Sequence, residues 1–140
     1  MVSSLYELEN MLKAAGVEYR RVGEGLLVEY DDAEYGKIGM SISVLEEEAV
    51  VRIAVPTDAE PTKSGLRTLM HENFVSARYK YALDYEGFIA VVVDVPSSCI
   101  RSARELKEAM ASALEGARRL LERVEERESE STEGGGSRQG

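Results

Sequence analysis

An α+β domain is predicted, with an antiparallel sheet of about five to six strands and three helices in the order α-ββββ-α-ββ-α. Three observations carry this. Lys37 to Leu45 alternates strictly, with Ile38, Met40, Ile42 and Val44 on one side and Gly39, Ser41 and Ser43 on the other. Three other stretches repeat apolar residues at spacings of three and four, as helices do. Pro56, Pro96 and the Glu86-Gly87 pair punctuate the chain where strands must end or turn.

The first helix spans Ser4 to Ala15. Leu5, Leu8, Leu12 and Ala15 share a face, Ser4 and Glu7 form a capping box, and Gly16 ends the helix. Strands follow at Val17 to Val22 and Leu26 to Tyr30, separated by Gly23-Glu24-Gly25, and a polar turn over Asp31 to Gly36 leads into the Lys37 strand. Beyond Glu46-Glu47-Glu48, Ala49 to Val55 presents Val51, Ile53 and Val55 to one face. A second helix starts near Ser64, with Leu66, Leu69, Met70, Phe74 and Ala77 on its apolar stripe and Asn73 in the middle of it. Tyr81 to Tyr85 then pairs with Phe88 to Val95 across Glu86-Gly87. The last helix begins at a Ser102 and Glu105 capping box and runs to about Glu126, burying Leu106, Met110, Ala113, Ala117, Leu120, Leu121 and Val124. Residues 1–127 therefore form one domain, and 128–140, acidic and Gly/Ser-rich, a disordered tail.

The segment Leu69-Met70-His71-Glu72-Asn73-Phe74, followed by a hairpin, Val95-Pro96 and a long amphipathic helix, resembles the type III secretion chaperone-like family, which includes the YbjN-like proteins. The resemblance covers about residues 4–126. It implies a compact domain that often dimerises and, in the secretion branch, holds an unfolded stretch of a client protein. It implies no catalytic residue. The chain departs from the secretion chaperones in an extra N-terminal strand and the Gly-rich tail.

Composition excludes several functions. The 140 residues carry 17 Lys and Arg against 26 Asp and Glu, a net charge of −9, which repels phosphate backbones, so no nucleic-acid partner is expected. No stretch has the apolar length of a membrane helix, so no membrane partner is expected either. Met1 leads into Val2-Ser3-Ser4-Leu5 without a basic region or a long apolar run, so no secretory signal is expected and the expected location is cytoplasmic. One cysteine, Cys99, and one histidine, His71, provide neither an internal disulfide nor a zinc set, and no metal or cofactor is expected. Cys99 lacks a base near it in sequence, and His71 lies at the flank of its helix stripe, so no catalytic residue is assigned. The acidic groups Asp31-Asp32-Glu34 and Glu46-Glu47-Glu48 lack the ligand alternation of a calcium loop and read as solvated turns.

Two features mark candidate sites. Asn73 is expected to bond backbone groups of a neighbouring strand or helix end, because an unpaired amide on an apolar stripe costs about 1–3 kcal/mol. On the sheet, Val50, Ala54, Phe88, Ala90 and Val92 occupy the face opposite Val51, Ile53, Val55, Ile89, Val91 and Val93. An apolar second face, of roughly several hundred Å2, is the kind of surface that marks an interface, and a second copy or a client segment is expected to cover it, the alternative being the long helix or a loop of the same chain. The expected function is a non-catalytic protein-binding module, a chaperone or adaptor for another polypeptide, acting as a homodimer. The alternative is a small-molecule-binding regulatory domain with a pocket near Asn73 and Tyr81.

Overall fold

A computed structural model describes residues 4–134, with side chains described through residue 124. Its elements are α1 (Leu5–Ala14), β1 (Arg20–Val22), β2 (Gly25–Asp32), β3 (Gly36–Leu45), β4 (Val50–Pro56), α2 (Lys63–Val75), β5 (Lys80–Leu83), β6 (Ile89–Pro96) and α3 (Ala103–Gly134). The order is the predicted α-ββββ-α-ββ-α. All six strands form one antiparallel sheet in the order β1-β2-β3-β4-β6-β5. The connection through α2 carries the chain past the place beside β4, so β6 fills that place and β5 becomes an edge.

Local chemistry sets most boundaries. The Ser4 hydroxyl accepts the Glu7 amide at 3.4 Å, and Val17 N–H returns to the Leu12 carbonyl at 2.9 Å around Gly16, whose φ is +72°. That closure draws Val17 and Tyr19 onto the core before pairing starts, so β1 keeps only three residues of the strand expected from Val17. At the β2–β3 turn the Asp32 carboxylate accepts the amides of Glu34 and Tyr35 at 2.9 and 3.1 Å, which lets β2 run through Asp32 itself. These bonds hold the Asp32 carboxyl below its ordinary pKa. The β5–β6 connection is longer than two residues. Asp84 accepts the amides of Glu86 and Phe88 at 2.9 and 3.0 Å, and Gly87 takes a φ of +89°. Helix α3 continues past Glu126 to Gly134, because no breaker interrupts its Glu- and Arg-rich sequence before the glycines that begin there. Residues 128–134, assigned above to the tail, are thus helical backbone, and 135–140 lie outside the described residues.

The core lies between the sheet and the helices. Ile42, Val51, Ile53 and Val91 point inward from the sheet and are fully buried against Leu8 and Leu12 of α1 and Met110, Ala113 and Ala117 of α3. Helix α3 crosses β4 and β6 at a point set by Gly116. A Cβ there would meet the Tyr79 ring at 2.6 Å and Val91 at 2.7 Å, so only glycine permits this approach. Its carbonyl accepts the buried Tyr81 hydroxyl at 3.0 Å, and the Tyr79 and Tyr81 rings meet edge to face at 5.6 Å.

Gly116→Ala is expected to destabilise the fold by about 1–3 kcal/mol in urea unfolding, through overpacking at the crossing. Burial raises the Tyr81 phenol pKa. A folded pKa above the unfolded value of about 10 gives a contribution that is complete below pH ~10 and is lost as pH climbs through the raised value. Tyr81→Phe should therefore cost about 1 kcal/mol near neutrality and flatten the fall in stability on the alkaline side.

Candidate functional site on the uncovered sheet face

The strand register assigns the face opposite the core. Ser41, Ala54 and Val92 align across three strands, Val50 stands opposite Leu45, and Lys80 stands opposite Val92. Val50, Ala54 and Val92 are half-buried, as is Leu27 opposite Ser41. Helix α3 packs on β4 and β6, α1 on β2 and α3, and α2 on β5. Their buried side chains all join the core cluster, so among the described residues no helix lies over the outer face.

That face is less continuously apolar than expected. Arg52 and Asp94 lie directly opposite each other there and form a two-pronged ion pair, both contacts at 2.8 Å. Arg20 and Lys37 flank Glu29 at 3.4 and 3.9 Å. The apolar centre is thus bordered by charge. Two of the predicted interface residues differ from the others. Ala90, between Pro56 and Ala82 on neighbouring strands, is 5% exposed, and Phe88 precedes β6 and lines a cleft at the end of the sheet.

The Asn73 side chain meets the backbone of edge strand β5. Its amide donates to the Tyr81 carbonyl at 3.0 Å and its oxygen accepts the Tyr81 amide at 2.7 Å. The side chain therefore occupies both outward backbone groups of Tyr81 on edge strand β5, as a further strand would.

The same contact rotates α2 away from the expected stripe. Gly65 and Leu69 are buried, Leu66 and Asn73 are half-buried, and Glu72 pairs with Arg123 of α3. Met70, Phe74 and Val75 consequently face outward at 69%, 89% and 65% exposure. Ala77 lies beyond the helix end. Lys63 and Arg67 fall on the same outward side by helical spacing. These exposed apolar side chains are the feature that periodicity misplaced.

The remaining candidates are dispersed. Cys99 and His71 are exposed and far apart in the element order. Arg118 reaches Asp32 of the β2–β3 turn at 3.3 Å, while Arg119 pairs with Glu115 at 3.5 Å. Among the described residues no cluster of His, Cys, Asp or Glu is placed to hold a metal ion, and no helix is long and apolar enough to cross a membrane.

No family model and no curated protein matches the chain. Among solved structures, a chain of the HopA1–SchA chaperone–effector complex is similar, with a TM-score of 0.59 and 17% identity over 81% of this chain and 91% of that chain. The likeness is one of fold, an α+β fold of the kind found in a chaperone–effector complex.

Asn73→Ala should cost about 1–3 kcal/mol, because it strips the partners from two backbone groups at once. It should also expose the β5 edge, so that light scattering rises with protein concentration where the wild type stays clear.

Proposed function

We propose that this chain is a non-catalytic protein-binding module, a chaperone or adaptor for another polypeptide, that works as a homodimer in the cytoplasm. The observation that carries the reading is the outer sheet face, half-exposed at Val50, Ala54 and Val92 with no helix over it among the described residues. The fold likeness to a chain of a chaperone–effector complex supports it. The client would lie on the face and add no strand at β5, since Asn73 holds that edge at Tyr81. At the other edge, β1 offers three residues, of which Arg20 and Arg21 are engaged with Glu29 and Glu9. Self-association is assigned to α2, where Met70, Phe74 and Val75 stand clear of their own domain.

Two measurements separate these parts. The full chain should suppress aggregation of a chemically unfolded reporter protein on dilution, and Val92→Glu should raise the amount required by about tenfold or more. That substitution spares the core, because position 92 is half-buried on the side of the sheet facing away from it. Equal suppression by both proteins would remove the outer face from the proposal. Sedimentation should show a dimer for the wild type and a monomer for Phe74→Asp, and a wild-type monomer at high concentration would remove the homodimer.

A further inference from the structure

At one end of the sheet a cleft of about 700 Å3 opens between the β2–β3 turn, the end of β4, the β5–β6 turn and α3. Its floor is apolar, formed by Ile38, Val55, Ala117 and Leu121 from the core. Tyr35, Tyr85 and Phe88 stand around it, and the Tyr85 ring is wholly exposed. Among the described residues, Asp58, Asp84 and Glu86 line it with one cation, Lys37, which is already shared with Glu29 at 3.9 Å. Phe88, Gly39 and Pro56 carry the cleft onto the outer sheet face, since Gly39 and Pro56 share the register side of Ala54 and Ala90.

We infer that this groove receives a basic, apolar-flanked segment of the client polypeptide, with an Arg or Lys head at the carboxylates and its aliphatic stem against the aromatic rings. The inference rests on the client-binding reading above and gives that client a chemistry. Charge selects the occupant. Three carboxylates beside π faces attract a guanidinium or ammonium, which keeps its charged head wet while its stem lies on apolar surface. A second copy fits less well. A symmetric pairing would oppose two acidic mouths, like charge facing like. Extended geometry suits the site, because an extended chain turns alternate side chains toward the same surface. One basic side chain could then reach the mouth while its apolar neighbours lie along Phe88 and Pro56.

The test uses the full chain and two labelled peptides, Gly-Arg-Val-Arg-Val-Gly and its Glu-for-Arg counterpart, followed by fluorescence anisotropy at low ionic strength. The Arg peptide should bind at least about tenfold more tightly and lose that margin in salt. Asp58→Asn with Glu86→Gln should weaken it about tenfold, and Tyr85→Ser should weaken it too, with unfolding midpoints unchanged because these side chains are exposed. Asp84 is left intact because it holds the turn. Equal affinity for the two peptides, or an unchanged affinity in the double variant, would overturn the inference. So would full competition by tetramethylammonium, which would mark a small-cation site, or a change of oligomeric mass in the double variant with peptide binding intact, which would mark a contact between copies. If the peptides fail to discriminate while Val92→Glu still raises the amount required for reporter protection, the inference falls and the client-binding reading stands.

Discussion

The structure depends on how closely α3 lies on β6 at Gly116. A helix normally keeps a sheet at a distance set by side chains on both surfaces. Here the missing Cβ lets the Tyr79 ring and Val91 come up to the helix backbone, and the Tyr81 hydroxyl ties the two layers by donating to the Gly116 carbonyl. The crossing holds α3 to the inner face of β4 and β6, where Met110, Ala113 and Ala117 complete the core. With the long helix committed there, and α1 packed beside it on β2, the domain has two layers. The outer face, with no helix over it among the described residues, is the complement of that arrangement.

The second constraint is the double hydrogen bond between Asn73 and Tyr81. An exposed strand edge is a template for unwanted pairing, and a side-chain amide that mimics a peptide group closes it at the cost of one polar residue on a helix. The bond also decides how α2 is rotated. Turning Asn73 toward β5, with Glu72 drawn to Arg123, leaves positions 70 and 74 on the outside. Edge protection and the exposed apolar surface of α2 are therefore one geometric choice seen from two sides. The bond that guards the edge at Tyr81 thus goes with a phenylalanine left 89% exposed, a surface of the kind that marks interaction sites.

Elements governed by neighbouring residues were legible in the sequence. The alternation of Lys37 to Leu45, the Ser4 cap and the closing glycine at position 16 all act within a few residues, and the structure places them accordingly. What the sequence hid depends on pairings across long separations. The rotation of α2 follows from a bond between residues 73 and 81 together with an ion pair between 72 and 123, and hydropathy, which ranks Met70 and Phe74 as core, is blind to both. The outer face was misjudged for a related reason. Arg52 and Asp94 have the same parity as Val50 and Val92, but only the register of β4 on β6 makes them a cross-strand pair. Gly116 did leave a signal, since a glycine deep inside a helix costs about 1 kcal/mol and so asks for a packing reason.

Charge distribution completes the argument. The chain is acidic as a whole at −9, yet the span 63–80 holds Lys63, Arg67, Arg78 and Lys80 against Glu72 alone, and Glu72 is already neutralised by Arg123. The acids are concentrated elsewhere, including the mouth of the sheet-end cleft. A polypeptide approaching this molecule therefore meets a field with direction, attracted through its basic residues to one region and through its acidic residues to another. Fields of this kind act mainly on encounter rate and alignment, whereas apolar contact supplies the holding free energy. On the outer face the Arg52–Asp94 pair is satisfied within the sheet and presents no net charge to a partner. On the client-binding reading proposed above, the half-exposed valines and alanine around it contact apolar side chains of many sequences, while the charged borders select the orientation in which an extended chain lies down.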